Sequence, residues 1–159
     1  TVNPVAATRE QDTDIDTVEL SLIHIMLEYP YKISEIVQKN IFDCFMSANL
    51  KSLSERLRDS FEKDGVEGFD ASLFIQTIEN EALRQKLLKK MINENPYDEG
   101  IVERIIADTL KQIKRKWYKE KRRMLTTEIK RADESGNHEL SNRLLVEKER
   151  LLREEKALQ

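Results

Sequence analysis

With four glycines and three prolines in 159 residues, the chain has too few turn formers for a β-sandwich, a barrel or a low-complexity linker. A single cysteine, Cys44, excludes an internal disulfide and fits a reducing compartment. Its neighbours, Ile41-Phe42-Asp43-Cys44-Phe45-Met46, read as a buried apolar turn in which the thiol packs rather than reacts. Two histidines, His24 and His138, leave little for a zinc site, since neither has a second His or Cys at a ligand spacing. No run approaches the roughly 18 apolar residues of a membrane span, and no signal-peptide pattern is visible. Abundant Leu, Lys, Glu and Arg, with 36% charged and 39% hydrophobic residues, point to an all-α protein. It is expected to be cytoplasmic and, because it opens with Thr1, part of something longer.

Charge is unevenly placed. Residues 1–110 carry 12 Lys+Arg against 21 Asp+Glu, a net of −9. Residues 111–131 carry 10 against 2, and residues 132–159 carry 5 against 7, so an acidic body precedes a basic neck.

Residues 1–13 are polar and small and read as a linker remnant. Asp14 or Asp16 can cap a first helix running to about Glu28, with Glu19 at capping-box spacing from Asp16. That helix is apolar nearly all round, so it belongs at the centre of a bundle. Pro30 opens a helix to about Gln38, and Asn40 caps another through Met46. Asn49 or Ser52 starts a helix to about Lys63, followed by a loop at Asp64-Gly65 and Glu67-Gly68. Asp70 and Asn80 cap two more, the last ending at Asn95-Pro96. Six short helices over 14–95 thus make a compact bundle.

From Tyr97 to Glu134 there is no proline, and the one glycine is Gly100. After Glu134-Ser135-Gly136-Asn137, glycine and proline are again absent from His138 to Gln159. Gly136 supplies the left-handed residue that ends a helix, and Asn137 caps the next. The result is a long antiparallel helical hairpin, its first helix roughly 55 Å long at 1.5 Å per residue. Val102, Ile106, Leu110, Ile113, Trp117 and Met124 share an arc of about 80°, whereas Leu125, Ile129 and Ala132 lie roughly 60–120° from Trp117. The shift falls within Lys119-Glu120-Lys121-Arg122-Arg123, where the helix could bend. It divides a bundle subdomain, 14–118, from a hairpin subdomain, 119–159.

On the return helix, Leu140, Leu144, Leu151 and Leu158 form the seam. Leu145 and Leu152 lie about 90° off it, with Val146 on the far side. They are covered by a third helix of the same chain, fall there by packing chance, or serve as a docking surface, with Asn142 and Glu149 on the polar side as further contacts.

No catalytic constellation is present. There is no Gly-rich phosphate loop and no paired carboxylates set among strands, so neither activity nor cofactor is expected of this segment. The cations of the neck, Lys119, Arg122 and Arg123 among them, are candidate contacts for an acidic partner or nucleic acid. Direct nucleic-acid binding is not expected, because Lys and Arg on long helices are usually solvated or paired with acids of a neighbouring helix.

In order and spacing, the chain resembles the C-terminal helicase-binding domain of bacterial DNA primase over about residues 14–159. The opening helix Val18-Glu19-Leu20-Ser21-Leu22-Ile23-His24-Ile25-Met26-Leu27-Glu28-Tyr29-Pro30 is similar to that family's Leu-rich helix ending at a proline. Ala132-Asp133-Glu134-Ser135-Gly136-Asn137-His138-Glu139 stands where the family has a small residue, a polar pair, Gly-Asp and an acid; Asn137 replaces the Asp. Leu144-Leu145 and a Glu/Arg/Leu-rich end follow. The resemblance implies a helical bundle with a helical hairpin, monomeric alone. It would bind the N-terminal domains of the hexameric replicative helicase and bring primase, a DNA-directed RNA polymerase, to the replication fork. The zinc-binding and polymerase domains of such primases are not in this sequence. In some members the same region receives the acidic tail of single-strand binding protein. Two other classes stay open: a helical adaptor pairing with another coiled coil, and a nucleic-acid-binding arm using 111–131.

Overall fold

Asp16 ends its extended segment with a carboxylate that accepts the amides of Val18 (2.9 Å) and Glu19 (3.0 Å), and helix α1 (Thr17–Glu28) starts there. The computed structural model describes residues 15–93 and 97–158, so the linker reading for 1–13 and the Asn95-Pro96 stop lie outside the described residues. Pro30 opens a single 3₁₀ turn (Pro30–Lys32) before α2 (Ile33–Gln38). Asn40 does not cap. It takes a left-handed conformation (φ 53°) that reverses the chain into a second 3₁₀ turn, Ile41–Cys44.

Helix α3 (Ala48–Gly68) starts at Ser47, whose hydroxyl accepts the Leu50 amide (3.3 Å). This start precedes the expected Asn49 or Ser52, and the helix runs past the expected end at Lys63. Gly65, at φ 75°, kinks it without terminating it. The Phe69 amide bonds back to the Gly65 carbonyl (3.0 Å), and the Phe69 ring meets Phe61 and Phe74, so the segment read as a loop is held as a kinked turn. Helices α4 (Ala71–Gln76) and α5 (Glu81–Asn93) begin at Asp70 and Asn80, which accept the amides of Leu73 and Leu83 at 3.1 Å each. Helix α6 spans Glu99–Glu134 and α7 His138–Lys156. The described residues thus form seven α-helices and no strand, the all-α class expected. Helix α6 stays continuous through Lys119–Arg123.

Two compact units divide between Leu110 and Lys111, inside α6 and eight residues before the 118/119 boundary read from the stripe shift. The structural division coincides with the change in charge, −9 for residues 1–110 and +6 for residues 111–159.

In the first unit α1 is central. Leu22, Ile23, Met26 and Leu27 have almost no exposed surface, nor do Ile33, Ile36, Ile41, Leu50, Leu57, Ile75 and Leu87 from the elements around them. Each such side chain contributes about 1.5–3 kcal/mol relative to exposure. Val102 and Ile106 of α6 are buried as the stripe requires, but Met124, counted in that stripe, is exposed. Buried Lys32 pairs with Glu103 (3.0 Å) and Glu35 (3.3 Å). The hydrogen bond that Lys32 donates to Glu103 raises the ammonium above the usual lysine range against the opposing effect of burial, with Glu35 adding to it. The folded value is the higher one, so this contribution is complete at neutral pH and is lost only as pH rises through it.

Candidate interaction surfaces

The hairpin is built around its turn. The Gly136 amide bonds to the Asp133 carbonyl (3.1 Å) and the Asn137 amide to the Ala132 carbonyl (2.8 Å), with Gly136 at φ 74°. This is the Schellman arrangement, and the left-handed step favours a residue without a Cβ. Asn137 then accepts the Leu140 amide (3.2 Å). Together these bonds fix the phase in which α7 leaves the turn.

That phase selects the seam. On α6, Tyr118, Arg122, Leu125, Ile129 and Ala132 are buried or half-buried; on α7, so are Ser141, Leu144, Lys148, Leu151 and Glu155, and Leu158 just beyond it. Both rows alternate steps of four and three, the pattern of two helices packing side by side. Leu140, assigned to the seam from sequence, is 37% exposed, and Ser141 takes the inward position beside the turn. A small side chain fits there, opposite Ala132, because the turn holds the helices close. At its other end the seam is polar. The Tyr118 hydroxyl donates to Glu154 (3.3 Å), and Arg122 pairs with Glu155 (3.0 Å).

One flank of the seam is lined by charge pairs, with Arg150 bound to both Glu147 and Glu154. Arg150 lowers the Glu147 carboxyl below its usual range, chiefly by hydrogen bonding. The opposite flank carries the leucines. Leu145 is 44% exposed and Leu152 half-buried, with exposed Glu149 between them on one helical face. Asn142 and Val146, the latter 64% exposed, lie one step further round. The five candidate residues are therefore neighbours on one side of α7, while Leu151 is 3% exposed in the seam.

The three cations singled out in the neck differ. Arg122 is committed to Glu155, and Arg123 binds Glu120 through both Nε (3.0 Å) and Nη2. The Arg123 hydrogen bond draws the Glu120 carboxyl down. Of these three, only Lys119 is exposed with no ion pair among the described residues. Trp117 is half-buried, edge-on to Tyr118 (5.0 Å between centroids) and beneath the Lys121 ammonium (5.7 Å), so its ring is already engaged.

A further surface, in the first unit, was missed in the sequence reading. A groove of about 380 Å³ lies between α1 and α5, lined by Ile15, Thr17, Leu20, Lys86, Lys89 and Lys90. Beside it, Leu88 and Ile92 extend the apolar surface, with Ile92 81% exposed. The available signal was the spacing of Lys86, Lys89 and Lys90, which puts three cations on one face within an otherwise acidic unit.

Among the described residues, no group of His, Cys, Asp or Glu is placed to hold a metal ion, and no helix is long and apolar enough to cross a membrane. No protein-family model, curated protein or solved structure matches the chain.

Proposed function

We propose that this chain is the helicase-binding domain of a bacterial DNA primase, recruiting primase by docking its hairpin on the N-terminal domains of the replicative helicase. The observation that carries this reading is the apolar flank of α7. Leu145 remains exposed beside a seam that already has its own leucines, on the flank away from the Arg150 charge pairs, and Val146 extends the apolar surface toward the far side of the helix. Exposed apolar side chains on a rigid helix, next to polar groups such as Asn142 and Glu149, suit a protein partner. The order of bundle, Schellman turn and hairpin agrees with the resemblance.

A binding titration of the chain against the helicase N-terminal domain tests it. Truncating anchors buried in a partner pocket costs about 2 kcal/mol or more, so Leu145→Ala/Leu152→Ala should weaken binding roughly thirtyfold. No binding by the wild-type chain, or equal binding by the double variant, would remove this reading.

The groove between α1 and α5 favours a second contact, for an acidic tail with an apolar end such as that of single-strand binding protein. Lysines over an apolar floor supply both halves of that recognition. Lys86→Glu/Lys89→Glu should lower affinity for a synthetic acidic tail peptide at least tenfold and leave helicase binding unchanged. A peptide that binds both proteins equally is sitting elsewhere.

A further inference from the structure

Acids of neighbouring helices would neutralise a basic neck and leave no surface for nucleic acid. The structure does this for only part of it. Arg122, Arg123 and Lys130 are paired with Glu155, Glu120 and Glu134, and Lys121 sits over Trp117. Lys111, Arg115 and Lys119 are exposed and have no ion pair or hydrogen-bond partner among the described residues.

These three are successive members of one row. At four-residue intervals they fall within an arc of about 80° and rise roughly 6 Å at each step along α6. From Lys111 to Arg123 that arc holds no acid and no apolar side chain; exposed Gln112 borders it on one side and half-buried Tyr118, bonded to Glu154, on the other, and Arg122, the other residue within it, is paired across the seam. Glu120 and Glu128, the acids of this stretch, point about 100° or more away from Lys119. Asp108 precedes the row and Asp133 follows it, so it has ends.

We propose that this face of α6 is a phosphate-binding track for single-stranded nucleic acid. A protein partner would need an apolar or aromatic anchor on this face, and there is none. A polyanion needs only cations and hydrogen-bond donors, which Lys, Arg and Gln provide. One straight row suits the single line of phosphates of one strand, whereas a duplex presents two lines across a groove. With the Trp117 ring engaged, the bases have no stacking platform, so binding follows the backbone with little base preference.

The experiment is an anisotropy titration of the full chain with a fluorescent 25-mer of oligothymidylate at several salt concentrations. Three phosphate contacts on a single strand give a slope of about −2 in log K against log salt, roughly twentyfold weaker binding from 50 to 200 mM. Lys111→Gln/Arg115→Gln/Lys119→Gln should abolish most binding at low salt with an unchanged circular dichroism spectrum. The charge-keeping variant Lys111→Arg/Arg115→Lys/Lys119→Arg should bind like wild type. Undetectable binding by the wild-type chain at low salt, equal binding by the neutralised variant, or tighter binding to a 25-base-pair duplex would overturn the proposal. So would self-association, seen in sedimentation and lost in the neutralised variant, without oligonucleotide binding. The row would then serve the acidic unit of a second copy.

Discussion

Glu19→Ala should destabilise the bundle by about 2–4 kcal/mol, although it removes a charged residue from a helix whose other faces are apolar. Glu19 is buried on α1, and its Oε1 accepts the amides of Met46 (2.6 Å) and Ser47 (3.3 Å). Ser47 is buried and caps α3, so the carboxylate of one helix organises the start of another. Truncation leaves two backbone donors short of an acceptor, each worth about 1–3 kcal/mol when unsatisfied, and opens a void. It also removes a negative charge from the positive end of a 21-residue helix. Glu19→Gln keeps an acceptor oxygen of the same reach and should cost about half as much. Urea unfolding of both variants checks the order. If alanine costs less than 0.5 kcal/mol, or glutamine costs as much as alanine, the carboxylate is not holding this junction.

Glu19 also shows what could be read in the sequence and what could not. Three residues after Asp16, it has the spacing of a capping box, and the local reading assigned it to its own helix. Asp16 does cap, because that interaction is local, but the Glu19 side chain turns to a segment 27 residues away. Local signals fared similarly elsewhere: Asp70, Asn80, Gly136 and Asn137 stand where their chemistry requires. The misreadings depended on tertiary context. Gly65 reads as a stop, yet the ring contacts of Phe69 with Phe61 and Phe74 hold the chain in a kinked turn beyond it. Leu140 is the more apolar choice for the seam, yet the Schellman turn sets a phase that gives the position to Ser141. Of the candidate surface, Leu145 and Leu152 were legible from their angle to the seam. Which neck cations are free was not, since that depends on the pairing of Arg122 across the hairpin and the turning of Arg123 toward Glu120. The lysine groove involves two helices about 60 residues apart and could not be assembled from either alone.

Leu151→Ala should unfold the hairpin selectively, while Leu145→Ala, six residues earlier and off the seam, should leave it intact. Leu151 is the one leucine of α7 that is fully buried, between a half-buried Leu144 and the polar end at Glu155. A buried Leu→Ala change costs about 2–5 kcal/mol in transfer and cavity terms. The second unit has only a single seam against which to offset that loss, and short helices without packing are marginal in water. Exposed Leu145 loses little apolar burial on truncation, so less than about 0.5 kcal/mol is expected. Hydrogen exchange separates the outcomes, because opening is local. In Leu151→Ala, amides of α7 should lose most of their protection while those of α1 and α3 keep theirs; in Leu145→Ala both sets should match wild type. If Leu145→Ala also deprotects α7, that leucine belongs to the hairpin core, and the docking surface must be sought around Asn142 and Glu149. If Leu151→Ala deprotects α1 to the same extent as α7, the two units unfold as one, and the division at Leu110 has no thermodynamic counterpart.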